Sequence, residues 1–197
     1  MLVEPFIPFL LLVLALYATP GPATLSIAAS GSTFGFRNTI AYLCGIVTGL
    51  VIIFLMIALG LGYIFSQYPM VHLVFKWLGF IYILYLAYKI AFAKPIKSEK
   101  CNKLGFWQGV PLTLLNPKAY FAVIATVAQF AKVGEEYYES FILLIIWVTI
   151  LALLIDFVWA FIGAMIGSRF GKDGFSPILN IVFAVLLVGS VLVTMFL

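Results

Sequence analysis

Between Glu139 and Arg169 the chain carries one ionisable side chain, Asp156, inside an otherwise apolar run. About 20 such residues cross the hydrocarbon of a bilayer, and further runs of comparable length fill most of the remaining sequence. Only 9% of residues are charged while 65% are hydrophobic, and the mean hydropathy is +1.21. A soluble domain is roughly a quarter charged, so these charges are too few to coat a water-facing surface. The expected fold is an all-α integral membrane protein.

Hydropathy read between helix breakers gives six segments, at about 5–33, 39–65, 71–92, 106–131, 140–167 and 176–197. They form one membrane domain over residues 1–197. Residues 1–5 hold no Lys or Arg and no clear small-residue cleavage site follows, so a secretory signal is not expected there. The first, third and fifth connections carry Arg37, then Lys94, Lys97, Lys100 and Lys103, then Arg169 and Lys172. The fourth holds Glu135, Glu136 and Glu139 with Lys132. The positive-inside rule therefore puts the basic loop 93–105 in the cytoplasm and both termini outside, in the cell (inner or plasma) membrane. The net charge of +4 reports orientation and contact with anionic lipid rather than a nucleic-acid partner.

Two apolar runs interrupt themselves. "ALYATPGPATLSIAASG" places Pro20, Gly21 and Pro22 within the first segment, and "LTLLNPKAYFAVIATVAQF" places Asn116, Pro117 and Lys118 within the fourth. Proline ends the helix before it and suits the first position of the next. Each break is therefore also a start, with Thr19 or Gly21 as cap in one case and Asn116 in the other. The breaks fall in the first of three segments twice over. That predicts two inverted three-helix repeats, 1–92 and 106–197, with the first and fourth spans broken near mid-membrane. A lone proline would read as a plain kink; two prolines around a glycine, mirrored by an Asn-Pro-Lys, favour a built site. Half-helix N-termini carry partial positive charge, and Lys118 adds a full one, so a carboxylate fits between them.

After loops and span ends are assigned, Lys118 and Asp156 are the ionisable residues left deep in spans, at similar depth and of opposite sign. A charge there is costly and is expected to face the bundle interior or a wet cavity. The two could pair, either within a transport site or as a structural ion pair. Thr149, Ala152, Ala160, Gly163 and Gly167 form a small-residue stripe on the face of Asp156, and Lys118, Ala122, Thr126 and Gln129 share a face of the fourth span. Gly45 and Gly49 predict close helix packing, Tyr82, Tyr85 and Lys89 a packing or interfacial stripe, and His72 an interfacial place. Cys44 and Cys101 have no metal or disulfide spacing, and no cofactor or metal is expected.

The same residues carry a resemblance. "TPGPATLSIAASGSTFGFRN" resembles the first-span signature of the lysine exporter and threonine/homoserine-lactone efflux family of amino-acid exporters, and "LLNPKAYFAV" resembles its fourth-span Asn-Pro-Lys motif. "LGFIYILYLAYK", Asp156 with Trp159, and "LNIVFAVLLVGSVL" are similar to its third, fifth and closing spans, so the likeness covers nearly the whole chain. One departure is Ala23, where the family often has a polar residue. The resemblance implies an efflux carrier for amino acids or related small metabolites, driven by an ion gradient, of protons by expectation.

The charges assign the roles. Thr19, Gly21, Pro22, Thr24, Asn116, Pro117, Lys118 and Asp156 are the expected substrate-binding residues: the half-helix amides at Pro22 to Thr24 and Pro117 to Ala119, with Lys118, would hold a carboxylate, and Asp156 the substrate ammonium or the coupling proton. Competition of substrate and proton for Asp156 is the minimum requirement for antiport. An intramembrane enzyme is not expected, since an aspartyl protease needs two facing membrane aspartates and the one histidine lies at a span edge. A passive channel is the alternative, because broken helices also line pores; metal efflux fits less well for want of His and Cys ligands. The partners expected are a small-molecule substrate, a coupling ion and the bilayer, with homo-oligomerisation left open.

Overall fold

A computed structural model of the chain describes residues 5–60, 67–93, 103–132, 134–170 and 176–196. Among these the secondary structure is helical: α1 (Phe6–Val13), a π-helical turn (Leu14–Ala18), α2 (Pro22–Phe34), α3 (Phe36–Ala58), α4 (Pro69–Ala91), α5 (Phe106–Leu114), α6 (Pro117–Phe130), a 3-10 turn (Gly134–Glu136), α7 (Tyr137–Phe170) and α8 (Ser176–Phe196). The loop lysines 94, 97 and 100, Lys172 and Cys101 lie outside the described residues, as does the His72 side chain.

Both expected breaks are present. α1 with its π-turn and α2 meet at 62°, and α5 and α6 meet at 66°. By length and composition α3, Leu73–Ala91 of α4, and Gly134–Phe170 can each cross a membrane; the two bent pairs bring the number to five, and Pro177–Val193 is a shorter apolar helix. The helices' outward faces carry large bare side chains such as Leu11, Met70, Ile81, Phe121, Phe161 and Val185. Water does not tolerate apolar patches of that extent, whereas lipid is the matching solvent.

The buried side chains fall into two clusters. The larger draws on α2, α4, α8, the first half of α3 (Tyr42 to Val47), Leu104, Leu112 of α5 and Ala160 of α7. The smaller draws on α1, α6, the second half of α3 (Leu50 to Phe54) and the first half of α7 (Phe141 to Ala152). Both breaks lie between the two, so the polar groups that broken helices expose are kept out of either core.

Small residues set the closest approaches. α2 lies on α7 through the stripe foreseen around Asp156: a methyl added at Gly163 would stand 2.0 Å from the Ala28 carbonyl oxygen, and one at Gly167 2.1 Å from that of Ser32. α3 lies on α5 in the same way, with Gly45 against the Phe106 carbonyl and Gly109 against that of Tyr42. In lipid, van der Waals contact of this kind drives helix association, since tails are as apolar as leucine. Where α2 turns into α3 the link is one residue, Gly35, at φ 81°, a conformation a side chain would oppose. Buried hydroxyls hold this corner: Ser30 with Thr39 at 3.0 Å, Tyr42 donating to Ser26 at 2.9 Å, and Thr33 donating to Asn180 at 2.8 Å. Tyr82 donates to the Gln108 carbonyl, and the Lys89 ammonium lies 5.6 Å over the Tyr85 ring, which fits the packing role expected of that stripe.

Candidate functional site

A proline can begin a helix at no hydrogen-bond loss because the first amides have no partner anyway. α2 starts at Pro22 with extended Gly21 as its cap. The Thr24 hydroxyl reaches back to accept from the Gly21 amide at 2.9 Å, the half of a capping box that runs from the third helical residue to the cap. α6 starts at Pro117, and its cap Asn116 accepts from the Lys118 amide at 3.1 Å. Thr24 and Asn116 are both buried, at 4% and 3% exposure, so their polar atoms serve the backbone deep in the molecule rather than solvent.

Between the breaks is a small cleft with a cavity volume of about 60 Å³, below the ~300–1,000 Å³ of sites for drug-sized ligands. Thr19, Gly21, Pro22, Thr24, Asn116, Lys118 and Asp156 line it, so seven of the eight sequence-derived candidates converge on one place. Pro117 does not line the cleft; it sets the start of α6 beneath Lys118. The remaining wall is apolar, with Leu16, Ile46, Val47, Leu50, Ala122 and Ile155 among its members.

Lys118 and Asp156 share the cleft but do not pair. The lysine Nζ donates to the Thr19 carbonyl at 3.0 Å and to the Thr19 hydroxyl at 2.8 Å. Among the described residues the ion pair formed is Lys132 with Glu136, at the exposed connection after α6, where the lysine holds the Glu136 carboxyl below the usual carboxylate range. The lysine–aspartate pairing left open by the sequence does not form. The cause is the end of the first half-helix, whose last carbonyls have no intrahelical partner and carry partial negative charge, so they draw the ammonium across. Asp156, at 6% exposure, faces inward as expected.

Three further contributors had no strong sequence signal. Tyr17 sits on the π-helical turn directly before the break and its ring lines the cleft. Its hydroxyl is buried beside Thr126 without making a hydrogen bond; the Thr126 hydroxyl donates instead to the Ala122 carbonyl at 2.7 Å. π-turns are rare and cluster at functional sites. Trp159, known only as the aromatic after Asp156, donates its indole N–H to the Ala18 carbonyl at 3.3 Å. Gly79 of α4 packs its bare Cα against the Leu115 carbonyl at the second break, where a methyl would stand 1.9 Å from that oxygen. A tyrosine or glycine in an apolar run reads as packing until the break beside it is known.

One full positive charge, one carboxyl and two helix starts in a half-enclosed apolar cleft suit a small molecule that carries both a carboxylate and an ammonium. Among the described residues there is no group of three or more His, Cys, Asp or Glu that could hold a metal.

The comparison with known proteins agrees in kind. The model of the family described as LysE type translocator matches residues 14–195. The chain is 29% identical over 174 residues to the cysteine/O-acetylserine efflux protein of Salmonella paratyphi A (strain ATCC 9150 / SARB42), covering 86% of this chain and 87% of that protein. It is 28% identical over the same length and shares to the protein of that name from Escherichia coli (strain K12). No solved structure matches. A translocator family is one of transporters and not of enzymes, and its model spans both breaks, the cleft and the helices around them: the chain belongs to the LysE type translocator family.

Proposed function

We propose that this protein is a secondary exporter of a small neutral amino acid or a close relative, working by proton antiport across the inner or plasma membrane. The observation that carries the reading is the placement of Lys118 and Asp156 in one cleft between two helix breaks. A basic or acidic substrate side chain would ask for a second carboxyl or a second cation, whereas a zwitterion with an uncharged side chain matches one of each. The apolar wall of Ile46, Val47, Leu50 and Ile155 suits a short side chain. The relatives named for cysteine and O-acetylserine support the same class.

In this reading the first and fourth spans are halves of an inverted repeat, with the similar bends of 62° and 66° in its support. The first-turn ends of α2 and α6, with Lys118, hold the carboxylate. Asp156 holds the ammonium or a proton, one at a time, and that exclusion couples efflux to proton entry. The basic loop lies in the cytoplasm and both termini outside.

Counterflow into proteoliposomes tests it, over a panel including L-cysteine, O-acetyl-L-serine, L-alanine, L-lysine and L-glutamate, with and without a pH gradient. Saturable exchange of the neutral members, accelerated by the gradient, is the expected result. Non-saturating electrogenic flux would mean a passive channel, and preference for lysine or glutamate would overturn the charge argument.

A further inference from the structure

The partner that Lys118 has chosen is neutral. Two oxygens of one residue, the carbonyl and the hydroxyl of Thr19, sit on its ammonium at 3.0 and 2.8 Å, as the two oxygens of a carboxylate would. The side chain reaches them by lying along Gly21, where an added methyl would be 3.0 Å from Nζ and 3.2 Å from Cδ. The Thr19 hydroxyl is itself held from behind, donating to the Ala15 carbonyl at 3.0 Å, so its oxygen is presented to the lysine. Thr19 is exposed while Asn116 and Asp156 around it are buried, so the contact is reachable from the cleft.

Bonds from an ammonium are charge-assisted with either partner, but the full negative charge of a carboxylate attracts it more strongly than the partial charges of a carbonyl and a hydroxyl. Thr19 therefore satisfies Lys118 well enough to keep it ordered in the empty protein, and less well than a carboxylate would. We propose that Thr19 is an internal stand-in for the substrate carboxylate: it occupies Lys118 in the empty carrier and is exchanged for substrate on loading. This inference rests on the reading that Lys118 holds the carboxylate.

The exchange also states which ligands are taken. Once displaced, the Thr19 carbonyl at the end of the first half-helix has lost its donor, and an orphaned carbonyl in an apolar site is costly. An α-amino acid supplies the replacement itself. Its carboxylate takes the lysine while its ammonium, one carbon away, turns one N–H to the freed carbonyl and keeps the others for Asp156. A plain carboxylate leaves the carbonyl bare; a plain amine leaves the lysine with nothing better than Thr19. The Lys118–Thr19 contact thereby favours zwitterions over either half alone, and loading breaks the direct tie between the two broken helices.

Substitution at Thr19 separates this role from that of an ordinary ligand, because the two predict opposite signs. Binding is measured on the purified full chain by calorimetry with L-cysteine, O-acetyl-L-serine, L-alanine, propionate and ethylamine. Thr19→Val keeps the branched shape and removes the competing hydroxyl, so amino-acid Kd should fall about three- to tenfold, the worth of one modest hydrogen bond. Thr19→Ser should stay within about twofold of wild type, and Thr19→Ala replaces Thr19→Val if yield suffers. Weaker or unchanged amino-acid binding in the hydroxyl-free variant, with wild type binding normally, overturns the stand-in alone. A wild type that binds no member of the panel overturns the export reading and this inference with it.

Discussion

The indole of Trp159 donates to the carbonyl oxygen of Ala18, 3.3 Å away and 141 positions earlier in the chain. It thereby ties the last residue of the π-turn to the helix that carries Asp156, three residues from the aspartate. Trp159→Phe keeps the ring and orphans the carbonyl. A partly buried, fairly long bond puts the cost near the lower end of ~1–3 kcal/mol. Thermal stability should therefore drop slightly while counterflow drops several-fold, because the break has lost a fixed point. Equal, small losses in both would mean the bond serves stability alone.

Asp156 is expected to titrate in the cycle without being the lysine's partner. Asp156→Asn should fold and insert, fail in gradient-driven efflux, and retain some substrate exchange. Since no ion pair joins the two residues, adding Lys118→Met should not bring efflux back. Recovery of near-normal pumping in the double variant would show that neither charge takes part in transport.

The Tyr17 hydroxyl is buried without a hydrogen bond, so Tyr17→Phe removes a cost rather than a contact. The melting temperature of the empty protein should stay level or rise. If the hydroxyl serves a bound solute, the extra stabilisation that saturating L-cysteine confers on the wild type should shrink in the variant, which differential scanning in the presence and absence of ligand would read.

Two glycines should answer an alanine scan in opposite ways. At Gly163 a methyl meets the Ala28 carbonyl at 2.0 Å, so Gly163→Ala should cost ~1–3 kcal/mol or more by overpacking. At Gly189 nothing lies within 4 Å, and Gly189→Ala should be neutral or gain up to ~1 kcal/mol of helix propensity. Folded yield in detergent against temperature compares them directly.

Sidedness follows from the loop charges. In a background with Cys44 and Cys101 replaced, an impermeant thiol reagent applied to intact cells should label Glu136→Cys and leave Ser98→Cys untouched. The reverse pattern would invert the topology and with it the direction of the proposed export.

Much of this could be read beforehand because proline, lysine and aspartate are so poorly suited to lipid that their positions along each span are informative. Pro22, Asn116 and Pro117 set the breaks to within a residue. Depth along a span is legible in this way; the direction a side chain faces around it is not. Lys118 and Asp156 line one cleft, yet the lysine turns to Thr19 across the first break. The π-turn was illegible for a different reason. Leu14–Ala18 itself contains no helix breaker, and its widened coil ends two residues before Pro20. Tyr17 and Gly79 stayed hidden behind the same limit.

Only α3 and α7, among the described helices, place buried side chains in both hydrophobic clusters. They act as two continuous posts joining an upper and a lower slab, while the two bent helix pairs pass between the slabs as jointed rods. Twisting one slab against the other would bend the posts and flex the joints while disturbing few contacts inside either slab. The joint layer is also where Lys118, Thr19 and Asp156 line one cleft, so the plane on which such a twist would act is the plane that holds the polar site.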